Sequence, residues 1–150
     1  LNTTSNQLRF GASNGVVSTM SFAVPASDRT ISVADAKANS NLMLSTRGAI
    51  TQITSITTSV SLNGTSGVIT TVSSTLAGAT SATFTVNNTA VSASSVVVAN
   101  VSNYGGTYQT NGNPVANVSN ITSSAFDIIL SNVHATNALS GVIKISFVVA

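Results

Sequence analysis

From residue 49 onward the chain runs in short β-branched segments, each cut by a turn signal before a helix could form. The last is the clearest: Val142-Ile143-Lys144-Ile145-Ser146-Phe147-Val148 puts Ile143, Ile145 and Phe147 on one face and Lys144 and Ser146 on the other. A period of two is strand geometry, with the apolar face in the core and Lys144 outward. Thr83-Phe84-Thr85-Val86 alternates in the same way, and Asn63-Gly64-Thr65-Ser66-Gly67 and Asn111-Gly112-Asn113-Pro114 are turns. Strands are expected near 49–54, 56–62, 67–72, 81–87, 94–101, 105–110, 113–119, 124–130 and 141–149. No helix long enough to cross a parallel sheet is visible. The fold class is all-β: an antiparallel β-sandwich of two sheets, jelly-roll-like in topology, over residues 48–150.

Residues 1–47 read differently. They hold four of the five cations and two of the three acids. Gln7-Leu8-Arg9-Phe10 and Val16 to Val24 read as strands around Asn14-Gly15, a hairpin dipeptide, and Pro25 ends the second. A strand at 29–33, a helical turn at 35–39 and an extended stretch at 41–45 follow. These pieces are too short to enclose a core, so an extended N-terminal β arm packing on its own domain or a neighbour is expected. No clean internal repeat is read along the chain.

Chemistry is scarce. Only eight residues, 5% of the chain, carry a formal charge, against about one-quarter in an ordinary domain. There is no glutamate and no cysteine, so general acids, general bases and metal ligands reduce to Asp28, Asp35, Asp127 and His134. Asp127 and His134 could join a serine in a triad, but the nucleophile-elbow pattern is absent and His134 reads as part of the polar loop after Leu130. No catalytic residue, metal site or cofactor is assigned. The scattered Arg9, Arg29, Lys37, Arg47 and Lys144 make no patch for nucleic acid, and no apolar run approaches the ~18 residues of a membrane span. Leu1-Asn2-Thr3-Thr4 shows no export-signal pattern. The six Asn-x-Ser/Thr sequons match what so Asn- and Thr-rich a composition produces by chance.

A surface of hydroxyls, amides and methyls repels its neighbours weakly, so assembly is the expected fate. Arg9, Asp28, Arg29, Asp35, Lys37 and Arg47 are the candidate subunit contacts. Asp28-Arg29 and Asp35-Ala36-Lys37 bring opposite charges together, as a turn ion pair or as a fixing point for the arm. Tyr104-Gly105-Gly106-Thr107-Tyr108 is a candidate ligand loop, or a tight bend with both rings packed on the sandwich edge.

Gly48-Ala49-Ile50-Thr51-Gln52-Ile53-Thr54-Ser55, Val60-Ser61-Leu62-Asn63, Gly67 to Thr71, Leu76 to Asn88, Val96 to Asn100 and Leu139 to Val149 together resemble a β-sandwich module of bacteriophage virion proteins, especially those of aquatic phages. Pro25 to Ala36 with Ala38 to Leu44 is similar to a segment of phage fibre and tail proteins, which usually carry Pro where this chain has Ala34. The resemblance implies a homotrimeric virion component without enzymatic activity. A capsid decoration (cement) protein on the capsid exterior, bound to the major capsid protein through the arm, fits best. A short fibre or receptor-binding protein, with Tyr104 and Tyr108 touching a host glycan, is the alternative. A bacterial surface or pilus-like subunit shares the composition.

Overall fold

The computed structural model describes residues 47–150 and, nearer the N-terminus, the backbone of two strands. β1 (Gln7–Gly11) pairs antiparallel with β2 (Val17–Ser21), from Gln7 opposite Ser21 to Gly11 opposite Val17; the Asn14-Gly15 dipeptide between them lies outside the described residues. The segments expected at 29–33, 35–39 and 41–45 lie outside the described residues. The chain divides into two units, Leu1–Asn41 and Leu42–Ala150.

The second unit holds eight strands: β3 (Arg47–Thr51), β4 (Val60–Ser61), β5 (Ser66–Thr70), β6 (Ser81–Asn87), β7 (Val97–Tyr104), β8 (Pro114–Thr122), β9 (Ala125–Asn132) and β10 (Ile143–Val149). They form two four-stranded sheets, ordered β3-β5-β10-β7 and β4-β6-β9-β8. The fold is the all-β sandwich expected, with the strand count of a jelly roll, and the described residues contain no helix.

The sheets are mixed where a purely antiparallel pairing was expected. β5, β10 and β7 pair antiparallel, as do β6, β9 and β8. At one edge of each sheet, β3 runs parallel to β5 and β4 parallel to β6. The cause is the path of the chain. Every connection except β8 to β9 passes to the other sheet, and a crossing that reverses direction, made twice, restores it. β3 and β5, with β4 between them in the opposite sheet, therefore point the same way.

Two expected strands are corrected. The segment 105–110 is a loop, and 56–62 keeps only the two residues of β4. By contrast, β6 spans the residues that its alternation marked, and β10 buries Ile143, Ile145 and Phe147 while Lys144 and Val148 face outward.

The inner faces close one core. Phe126 on β9 meets Phe147 on β10 across the sandwich, edge to face, with ring centroids 5.3 Å apart. Leu62 plugs a gap left by two glycines. β3 and β5 pair like with like, Gly48 beside Gly67, Ile50 beside Ile69 and Thr51 beside Thr70. A Cβ on either glycine would come within 2.6 Å of a Leu62 methyl, so these positions take hydrogen alone.

Candidate functional site

Three connections converge where β9 ends: β5–β6, β7–β8 and β9–β10. Their hub is Asn132, buried at 1% exposure. Its Nδ2 donates to the carbonyls of Leu76 (3.1 Å), Ala77 (3.1 Å) and Asn137 (2.8 Å). Its Oδ1 accepts from the backbone N–H groups of Asn113 (3.0 Å) and His134 (3.2 Å). Gly112, at φ 79°, packs so closely that a Cβ would lie 2.8 Å from that oxygen. At the other end of the β6–β9 pair, buried Asn88 donates to the Gly64 carbonyl (2.8 Å) and accepts from Gly64 N (3.2 Å) and Ala90 N (2.9 Å). A buried amide with every group engaged holds irregular backbone as firmly as a ladder holds strands.

The two tyrosines of the candidate ligand loop are in contact but play different parts. Tyr104 closes β7 half-buried; its hydroxyl donates to the Asn111 carbonyl and accepts from Ser140 N at 3.0 Å. That phenol ties two loops together. Tyr108 stands edge-on to Tyr104, centroids 5.4 Å apart, with 54% of its surface open. Tyr108 is thus the ring that can meet a partner, and Tyr104 is its support. Tyr104→Phe is expected to cost about 1–2 kcal/mol by stripping two backbone groups of their partner. Tyr108→Ala is expected to cost under about 1 kcal/mol. Urea unfolding of both variants checks the order.

Asp127 and His134 are each committed to local structure. Asp127, on the outer face of β9, accepts from Thr85 Oγ1 (2.7 Å) through one carboxylate oxygen and from Asn120 Nδ2 (2.9 Å) through the other. His134 Nδ1 accepts from the backbone N–H groups of Thr136 (3.2 Å) and Asn137 (2.9 Å), which places the proton of the neutral ring on Nε2. No hydrogen bond joins the two side chains. No group of three or more His, Cys, Asp or Glu that could hold a metal occurs among the described residues, and they offer no helix long and apolar enough to cross a membrane.

Of the candidate subunit contacts, Arg47 opens β3, exposed and opposite Ser66, at the rim of a shallow hollow that includes Val68, Ser146 and Val148. Arg9 lies in β1 opposite Thr19. Asp28, Arg29, Asp35 and Lys37 lie outside the described residues. Exposed apolar side chains, which the sequence did not single out, include Val148 (49% exposed) of that hollow, Val98 (63%) opposite it on β7, Val96 (63%) just before β7, and Ile53 (90%) on the loop after β3. That loop is pinned from beneath by buried Gln52, whose Nε2 donates to the Thr58 carbonyl at 2.7 Å.

No protein-family model, curated protein or solved structure matches this chain. The functional reading therefore rests on the residues and their arrangement.

Proposed function

We propose that this chain is a structural component of a virion, a decoration protein that binds the exterior of a phage capsid as a homotrimer and braces the shell. The observation that carries this reading is the surface. Across residues 47–150 the formal charges are Arg47, Asp127 and Lys144 alone, and between them lie hydroxyls, amides and the exposed Ile53, Val96, Val98 and Val148. Such a surface suits permanent packing against other subunits better than life as a dispersed monomer. The resemblance to phage β-sandwich modules points the same way. The remaining charges, Arg9, Asp28, Arg29, Asp35 and Lys37, crowd into the first 47 residues with Arg47 at their end, which supports the arm as the element that docks on the major capsid protein. Once one subunit of a trimer is docked, the others bind at high effective concentration, so weak contacts add to a firm clamp.

The test is occupancy of capsids. Full-length chain added to expanded capsids that lack it is expected to bind stoichiometrically with the major capsid protein and to raise their disruption temperature. A chain without residues 1–47 is expected to stay in the supernatant on co-sedimentation. Undiminished occupancy by the truncated chain would remove the arm from the contact, and no binding by the full chain would end the decoration reading.

A receptor-binding fibre is the second reading, favoured by the open Tyr108 ring. It requires a copy number far below that of the major capsid protein, and host adsorption that falls with Tyr108→Ala.

A further inference from the structure

Six residues occur twice. Val98-Ala99-Asn100-Val101-Ser102-Asn103 and Val115-Ala116-Asn117-Val118-Ser119-Asn120 are identical, and they occupy β7 and β8, the last strands of their two sheets. β7 and β8 lie against each other along one side of the sandwich, yet no backbone hydrogen bond joins them. Both therefore turn a row of unpaired N–H and C=O groups away from their own sheets. We propose that copies of this chain join through these two strands, β7 of one copy pairing antiparallel with β8 of the next.

An open edge strand invites pairing, and proteins that stay monomeric blunt it with charge, proline, a bulge or brevity. The opposite side of this sandwich is blunted: β4 has two residues, and β3 has five and begins with Arg47. β7 and β8 have eight and nine residues and carry no charge. Their irregularities sit at the ends of the hexapeptide, with Pro114 before it in β8 and register shifts near Ser102 and after Ser119. The stretch between is left regular and bare.

The repeat supplies the complementarity. Aligned antiparallel about Asn100 and Asn117, Val98 meets Ser119, Ala99 meets Val118, Val101 meets Ala116 and Ser102 meets Val115. Every outward residue then faces an outward one and every inward residue an inward one, as directly opposed positions in an antiparallel pair must. At the centre two amides come together, each able to donate and accept. Within the chain the side chains of Asn100 and Asn117 make no hydrogen bond, whereas Asn88, Asn111, Asn113, Asn120, Asn132 and Asn137 are all engaged. A foreign strand would need one such edge. Two edges with the same text fit a second copy. That the assembly holds three copies, and only that, rests on the proposed function.

The chain has no cysteine, so the contact can be read directly. Asn100→Cys and Asn117→Cys full-length chains, refolded together and oxidised, are expected to give a disulfide-linked pair that neither gives alone. Asn100→Lys with Asn117→Lys is expected to abolish the oligomer in sedimentation velocity with an unchanged circular dichroism spectrum, while Thr83→Lys, exposed on β6, leaves it intact. Cross-linking by either cysteine variant alone, an oligomer that survives the double lysine variant, or a monomeric wild-type chain would each overturn the proposal. A monomeric chain that still occupies capsids would do so without touching the decoration role. An oligomer with the cysteine pattern expected, but no capsid binding, would end that role and leave this contact standing.

Discussion

Phe147→Ala is expected to remove about 3–5 kcal/mol of stability, the usual range for deleting a buried aromatic ring. Phe147 is 2% exposed on β10, a central strand, and its ring meets Phe126 of the facing sheet. Its surroundings cannot close over the loss. On one side lies Gly67, where a Cβ would come within 2.7 Å of the ring, and Leu62 is already wedged against Gly48 and Gly67. The cavity would thus stay open, and the cost of a core truncation rises with the cavity that remains. Because whole domains are stable by only about 5–15 kcal/mol, this single change should move the urea midpoint by a large fraction of its value at constant slope. Val148→Ala is the matched control. One residue on, pointing outward and 49% exposed, it should cost under about 1 kcal/mol. A Phe147→Ala loss no larger than the control's would mean the two sheets are not held together by this cluster.

That contrast between neighbours was legible in the sequence, since alternation over Val142–Val148 assigns each residue its face, and β10 obeys it. The same holds for β6. What local pattern cannot supply is which strand lies beside which. The parallel edges β3–β5 and β4–β6 follow from two successive crossings between sheets, a property of the path and not of any segment. The strand expected at 105–110 failed for a related reason. Thr107 and Tyr108 have strand-forming side chains, but Gly106 sits so near Ser140 that its Cβ would lie 2.3 Å from that carbonyl oxygen, and the Tyr104 hydroxyl bonds across to Asn111 and Ser140. Tertiary contacts bend that segment into a loop. The pairing of Tyr104 with Tyr108 could be foreseen from their spacing; which ring is support and which is open could not. The hexapeptide shared by β7 and β8 is too short to register as a clean repeat along the chain, and it gains meaning only once both copies are seen to be edges. Asn88 and Asn132 carried no signal at all, since buried structural amides look like any other asparagine in so Asn-rich a chain.

Asn132→Asp tests that last point, because it changes one atom and almost no volume. The amide nitrogen that donates to Leu76, Ala77 and Asn137 becomes an oxygen facing three carbonyl oxygens at 2.8–3.1 Å. At neutral pH the result is a buried carboxylate against three dipoles of the wrong sign, so a loss of about 3–4 kcal/mol is expected. Protonation restores one O–H donor, so burial and the three carbonyls must raise the pKa of the introduced carboxyl above its unfolded value. The folded state then binds the proton more tightly than the unfolded state, and stability falls as pH rises between the two values. The variant should therefore lie nearest to wild type in acid and fall away from it toward neutrality. Asn63→Asp provides the comparison: Asn63 is exposed and its Oδ1 only accepts, from Thr89 N at 3.0 Å, a role that a carboxylate keeps. It should stay within about 0.5 kcal/mol of wild type. Equal effects at the two sites, or an Asn132→Asp loss indifferent to pH, would show that the convergence of the three loops does not depend on donation by this amide, and the support assigned to the Tyr104–Tyr108 loop would have to come from the phenol alone.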